Sequence, residues 1–245
     1  MAGKGERFLK RGYNVPKPLI KIGTVPMVIK AVLDLPEATN HTFIVLESHI
    51  EDYQIDNHIK TYIPDSTFIS LAEVTEGQAC TCLLGLESVD ANEEILIAAC
   101  DNGMMFDRLA FEMLKQTADV IVFTFRNNVT VVDKPEQYGW VKDSITGKVE
   151  VVSVKKPISE NPKFDHAVVG TFWFRHSRIF KEAANKMILD NRRVKNEFYV
   201  DECINDAVDL GYNVSLFEID NYICWGTPDD YSTYVYWESF FSQVQ

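Results

Sequence analysis

The feature that most narrows the fold is a set of short, almost wholly apolar runs: TFIVLE (42–47), FISLAE (68–73), EILIAAC (94–100) and DVIVFTF (119–125). A strand with one wet face alternates polar and apolar residues. These runs do not, so they read as strands covered on both faces, as in a parallel sheet. Helical patterns lie between or beside them at Pro26–Leu35, Gln78–Ser88 and Asp107–Thr117, with Pro26 suited to a first helical turn. The βαβα rhythm predicts an α/β three-layer sandwich.

The second half changes character. GWVKDSITGKVEVVSVKKP (139–157) reads as a hairpin, with Gly147 in the turn and Val149, Val151 and Val154 on the return strand. HAVVGTFWFRH (166–176) and YNVSLFEI (212–219) read as further strands. Helices are expected near Ser177–Asn191 and Glu197–Leu210, with an aromatic-rich last helix over Thr227–Phe241. No Ser/Gly/Pro linker, internal repeat or low-complexity tract divides the 245 residues. One domain over 1–245 is therefore expected, with the hairpin as a small insert on the sheet.

Charge and cysteine usage exclude several functions. Lys and Arg number 24 against 36 Asp and Glu, a net charge of −12. Nucleic acid needs a basic face, so it is not an expected partner. A small phosphorylated ligand needs only a few local cations and stays open. Cys80, Cys82, Cys100, Cys203 and Cys224 form no CxxC pair, which suits neither a zinc knuckle nor a redox dithiol. Reduced thiols in a cytoplasm are the expectation. No apolar run approaches the ~20 residues of a membrane span, and the polar start is not a secretory signal.

Local cations sit in the opening loop, MAGKGERF. Gly3-x-Gly5-x-Arg7 lets backbone N–H groups approach phosphate oxygens, and Arg7 adds a bidentate cation. A solvated turn would have the same letters, because two spaced glycines are a weak signal. In PKPL, Pro16 and Pro18 hold Lys17 in a fixed extended segment, either aimed at a ligand or snorkelling from a rigid turn. Asp101 follows the EILIAAC run. There it either caps the next turn or, at the carboxyl end of a parallel strand, meets the ligand.

Taken together, MAGKGERF and GYNVPKPLIKIG resemble the signature loop of the sugar-phosphate nucleotidylyltransferases, GxGxRF…PKP. Further segments resemble that family in the expected order: Thr75-Glu76-Gly77-Gln78-Ala79 its nucleobase segment, Ala99-Cys100-Asp101 its metal-binding aspartate, and Tyr138-Gly139-Trp140-Val141 its acceptor contact. Lys155-Lys156-Pro157 resembles its EKP with lysine for glutamate. Gly170-Thr171-Phe172-Trp173-Phe174 resembles its GxYxF, and Trp225-Gly226-Thr227-Pro228 its late W-x-GTP element.

The resemblance implies a GT-A-like nucleotidyltransferase fold with a mostly parallel, Rossmann-like central sheet. It implies transfer of NMP from an NTP to a sugar phosphate or similar phosphate monoester, with pyrophosphate released, in the synthesis of polysaccharide or surface-glycan (capsule) precursors. CTP or UTP is favoured as donor, with GTP and dTTP open; a phosphocholine-type acceptor is open too. Ala2, Gly3, Lys4, Gly5 and Arg7 would cradle the triphosphate, and Thr75, Gly77 and Gln78 the base. Lys17 would stabilise the reacting phosphates, Asp101 would bind Mg²⁺, and Lys156 would orient the acceptor phosphate. Gly139, Gly170 and Glu197 are acceptor-binding candidates, although Glu197 also fits a first-turn glutamate facing a helix dipole. A homodimer fits the aromatic end of the chain.

Two departures stand out. The family places a second metal-binding aspartate where this chain has Cys224, a poor ligand for Mg²⁺. Asp220 is the nearest substitute and is expected to approach Asp101. The family's glycine loop also follows a core strand that is missing before Met1, which predicts a longer natural protein. A nucleotide-sugar-dependent glycosyltransferase is a second reading, weakened because Asp101-Asn102-Gly103 lacks the second carboxylate of a DxD. A non-catalytic nucleotide-binding relative is the third.

Overall fold

A computed structural model describes residues 1–3 and 5–243. The chain divides into two compact units. One comprises Met1–Val74, Ala99–Met104 and Tyr222–Gln245; the other comprises Thr75–Ala98 and Met105–Asn221.

In the first unit, α1 (Glu6–Leu9) precedes a small hairpin of β1 (Lys21–Ile22) and β2 (Val25–Pro26). Helix α2 (Met27–Leu33) starts directly after Pro26, whose φ of −56° leads the chain into it. Strand β3 (Thr42–Leu46) runs parallel to β4 (Thr67–Leu71), in register from Thr42↔Thr67 to Leu46↔Leu71. Their crossover holds two helices the sequence reading did not anticipate, α3 (Glu47–Tyr53) and α4 (Ile55–Lys60). Val28 and Ile29 of α2, Phe43 and Val45 of β3, and Ile55 and Ile59 of α4 close one core. Each such side chain stabilises the fold by about 1.5–3 kcal/mol through burial.

Strand β6 (Asn102–Met105) pairs with β12 (Asn221–Cys224), and α9 (Pro228–Ser242) follows. Thr227 caps α9, accepting from the Asp230 N–H at 3.2 Å and donating to its carboxylate at 2.6 Å. The aromatic helix expected from the sequence has two parts. Tyr231 and Tyr234 pack on Phe8, Met27 and Trp225, whereas Tyr236, Trp237, Phe240 and Phe241 are exposed.

The second unit is built on a six-stranded sheet. Its strands are β5 (Ile95–Ala98), β7 (Val120–Phe125), β8 (Gly139–Asp143), β9 (Val149–Val154), β10 (His166–Phe174) and β11 (Val214–Glu218), in the order β11-β7-β10-β8-β9 with β5 also on β10. Strand β7 is buried at all six positions, as its unbroken apolar sequence requires. It pairs parallel to β11 and antiparallel to β10, and β10 is antiparallel to β5 and β8 as well. Four strands, β5, β7, β8 and β11, therefore share one direction. The hairpin turns at Gly147 as expected (φ 73°), and β8 bonds to β10, so the hairpin widens the sheet.

Helices α5 (Gln78–Gly85), α7 (Ser177–Leu189) and α8 (Val200–Asp209) pack on one face, around Val120, Val122, Phe172 and Phe174. On the other face α6 (Arg108–Lys115) sets Phe111 against Phe123 and Phe217. The layered α/β arrangement expected from the apolar runs is thus present, but β4 and β5 are not fully buried at any position, and β5 is antiparallel to β10, so those two runs are not the doubly covered parallel strands their sequences suggest. Among the described residues, β3 is paired along one edge only, with β4, and β5 along one edge only, with β10.

Candidate active site

Pro16, with φ −55° and ψ 141°, carries the chain into a 3-10 turn at Lys17–Leu19, and Pro18 is buried beneath it. Lys17 is aimed inward as a result. Its ammonium donates to Asp101 Oδ2 and, at 2.9 Å, to the Gly226 carbonyl, and lies 5.5 Å from the centre of the Phe8 ring. The side chains of the pair are only 15% and 30% exposed. Burial alone would lower the pKa of Lys17, but attraction to Asp101, aided by Cys100 and Cys224, leaves it raised. Burial would likewise raise Asp101, yet Lys17 and then Arg7 hold its carboxyl below the ordinary value. Two groups the sequence places far apart are therefore locked as an ion pair.

Cys224 lies beside them. The Trp225 N–H donates to the Asp101 carbonyl at 2.8 Å. A Cβ at Gly226 would lie 3.2 Å from Cys224 Sγ and 3.3 Å from Asp101 Oδ2. Burial first, then Asp230 and Asp101, push the Cys224 thiol up to about 12. It stays protonated and adds no charge. Asp220 sits in the other unit, exposed in the turn between β11 and β12, with its N–H on the Met105 carbonyl at 2.8 Å. Arg7 is exposed on α1; Gly3 is exposed, and Ala2 and Gly5 are half-buried. Lys4 lies outside the described residues.

In the second unit, the Thr75–Ala79 segment is clamped to the chain before α8. The Phe198 N–H donates to the Glu76 carbonyl and the Ala79 N–H to the Phe198 carbonyl, both at 3.0 Å. Gly77 faces that peptide with φ 146°, and a Cβ there would overlap Phe198 N and O. Thr75 Oγ1 donates to the Gly77 carbonyl at 2.8 Å, while Gln78 opens α5 exposed to water. Arg193 completes the clamp, pairing with Glu76 at 3.0 Å and lying 4.0 Å over the Phe198 ring. Sequence reasoning missed Arg193 and Phe198, which carry no local motif.

Gly139 opens β8 opposite Val154, and a Cβ at Gly139 would overlap the Asp201 carboxylate. Lys155, just beyond β9, has left-handed backbone (φ 60°). Its N–H donates to the Tyr138 carbonyl at 2.9 Å, its ammonium donates to the Gln137 carbonyl, and the ammonium lies 5.4 Å from the Tyr199 ring centre. Lys156 is exposed, its carbonyl accepting from Ser153 at 2.7 Å. Gly170 (φ 92°) lies where the β10 register against β7 shifts, between Val168 and Phe172.

Glu197 is exposed and exchanges two backbone hydrogen bonds of 3.0 Å with Val194. It precedes α8, which starts only at Val200, so the expected first-turn position is corrected. Left-handed Asn191, Lys195 and Asn196 turn the chain there instead. Lys155, Tyr199 and Asp201 were not singled out in the sequence for this corner.

The chain is an α/β sheet protein whose proline-framed Lys17 is held on Asp101, in the bend before β6. Residues 1–238 match the Nucleotidyl transferase family, and the chain belongs to it. It is a nucleotidyltransferase enzyme. Among solved structures, it is similar to the nucleoside-diphosphate-sugar pyrophosphorylase from Vibrio cholerae RC9, with TM-score 0.78 and 23% identity over 96% of this chain and 97% of that one. The inositol-1-phosphate CTP transferase from T. maritima gives TM-score 0.72 and 15% identity over 95% and 90%. A UDP-glucose pyrophosphorylase complexed with UDP-glucose gives 0.68 and 17% over 97% and 96%. At these identities the likeness is one of fold. No curated protein sequence matches. No helix among the described residues is long and apolar enough to cross a membrane.

Proposed function

We propose that the enzyme transfers a nucleoside monophosphate from CTP or UTP to a sugar phosphate or similar small phosphate monoester, releasing pyrophosphate. The observation that carries the reading is Lys17 held between Asp101 and the Gly226 carbonyl. A buried ammonium fixed in this way suits a reaction in which negative charge moves between phosphate oxygens. A phosphate oxygen of the acceptor attacks the α-phosphorus, the bond from that phosphorus to the bridging oxygen breaks, and pyrophosphate leaves with the electron pair. Such chemistry needs positioning and charge stabilisation more than covalent help.

In this reading Lys17 stabilises the reacting phosphates, and Arg7 with the Gly3–Gly5 backbone holds the β- and γ-phosphates. The Thr75–Gln78 segment binds the base. Gly139, Lys156, Gly170 and Glu197 serve the acceptor. Asp101 offers one hard carboxylate. That fits a Mg²⁺ whose other ligands are phosphate oxygens and water, and the described residues hold no group of three or more potential protein ligands. When bound, Mg²⁺ would neutralise charge on the phosphates. The neighbours named for a nucleoside-diphosphate-sugar and for inositol-1-phosphate support the acceptor class.

The test is a matrix of CTP, UTP, GTP, dTTP and ATP against phosphorylated small molecules, read by pyrophosphate release. Release with CTP or UTP and a hydroxylated phosphate is the expected result. Nucleotide binding without release for every acceptor would overturn the reading.

A further inference from the structure

We propose that Phe8 is a positioning residue: the face of its ring holds the Lys17 ammonium in place without taking a hydrogen bond from it. The proposal rests on the reading of Lys17 as the cation that stabilises the reacting phosphates.

Three observations carry it. The glycine loop grips Lys17 at both ends. Gly5 is left-handed, and a Cβ there would lie 3.4 Å from the Lys17 Cβ, so the loop backbone packs on the stem of the lysine. The Phe8 ring meets the other end, with the ammonium over it at 5.5 Å from the ring centre.

The ring is itself fixed. It belongs to a residue only 2% exposed. Tyr13 and Tyr231 pack on it in T-shaped contacts at 5.1 and 6.3 Å between ring centres, and on each other at 5.9 Å. Tyr231 is tethered in turn, its hydroxyl donating to the Lys21 carbonyl at 3.0 Å. The Phe8 N–H donates to the Gly5 carbonyl at 2.9 Å, which ties the ring to the glycine that touches the lysine stem.

The third observation is a count of acceptors. An ammonium has three N–H groups. Among the described residues, that of Lys17 has two oxygen partners, Asp101 and the Gly226 carbonyl. A charge held mostly out of water needs further compensation. A third carboxylate or carbonyl would supply it, but would occupy the N–H that a phosphate oxygen must take. The negative face of a ring attracts the charge and competes with no oxygen for a hydrogen bond. Lys17 is thus steadied while one N–H serves the phosphates. The plain alternative is packing: Phe8 shares a core with Ile20, Met27 and Trp225, and Lys17 passes close only because both line the same loop.

Fluorination of the ring separates the two. Mono-, di- and trifluorophenylalanine at position 8 keep the shape of the ring nearly unchanged and drain negative charge from its face. In pyrophosphate release, kcat should fall stepwise, reaching about 3- to 30-fold with the trifluoro ring, with the nucleotide KM nearly kept. A flat kcat across the series, as packing alone would give, would overturn the proposal.

Melting curves of the same proteins read the contact without turnover. The trifluoro ring should lower Tm by about 2–4 °C more beside Lys17 than in the Lys17→Met background. Equal shifts in the two backgrounds would overturn the proposal whatever the activity. A larger shift beside Lys17, with no pyrophosphate released from any NTP and acceptor, would support this inference and remove the functional reading.

Discussion

The Lys17 ammonium rests on the Asp101 carboxylate, with the Gly226 carbonyl as its second acceptor. Replacing Lys17 by methionine keeps the length and removes the charge. Turnover should fall about 10²- to 10³-fold, as when one positioned charge-stabilising donor is lost. Nucleotide affinity should change little, because the cation assigned to the β- and γ-phosphates is Arg7. Pyrophosphate release gives kcat, and calorimetry gives the nucleotide Kd. Equal losses in both would place Lys17 in ground-state binding and not in the chemical step.

The same pair fixes a pH dependence. Asp101 is held below its ordinary 3.8, so its contribution to stability is present above that value and lost as pH falls through the lower folded value. Lys17 is held above 10.5, so its contribution is complete below that value and lost as pH rises through the folded one. In Lys17→Met the attraction disappears and burial dominates Asp101, raising its pKa. The stability gap between wild type and variant should therefore be wider at about pH 7 than at about pH 4. Chemical denaturation at the two values measures it. A gap independent of pH would mean that Asp101 keeps its low pKa without Lys17.

Much of this was legible in the letters, for physical reasons. VIVFTF could only be a strand covered twice, and all six residues are buried. Two prolines fix the backbone around Lys17, and Asp101 follows an apolar run, so both halves of the ion pair could be singled out; β5 stops at Ala98 and is antiparallel to β10, so Asp101 lies in the bend before β6 and not at the end of a parallel strand. Residues 47–60 were missed because three isoleucines among charged residues give a faint helical stripe; two short helices form there by packing Ile55 and Ile59 under β3. The Lys155–Asp201 corner was hidden for a different reason. It depends on a left-handed lysine and on a glycine that a carboxylate abuts, neither of which has a pattern in the chain.

Gly77→Ala tests the clamp between Thr75–Ala79 and Phe198. The backbone at Gly77 has φ 146°, and a Cβ would collide with the Phe198 peptide, which is held by two hydrogen bonds and cannot retreat cheaply. Backbone strain of this kind costs on the order of 1–3 kcal/mol, and overpacking adds to it. A fall in Tm of roughly 4–12 °C is expected for a chain of this size, with weaker nucleotide binding. Ala at Gly147, whose Cβ would meet nothing, is the control for left-handed strain alone. An equal effect at both positions would remove the clamp as the cause.

Asp201→Asn should stabilise the enzyme at neutral pH. Burial pushes the Asp201 carboxyl up to about 6, only partly offset by Lys155 and by backbone N–H groups at the start of α8. A carboxyl raised above its ordinary 3.8 favours the folded state while protonated, and that advantage is lost as pH rises through about 6. At neutral pH the wild type therefore carries an ionised, poorly solvated group that asparagine does not have. Glu202 beside it is also raised by burial, then lowered by Arg192, but it is common to both proteins. The variant should be more stable by about 1–3 kcal/mol near pH 7.5 and equal near pH 3.5. Melting curves across that range give the difference directly. A variant less stable than wild type at every pH would mean that Lys155 and the backbone N–H groups outweigh the burial of the charge.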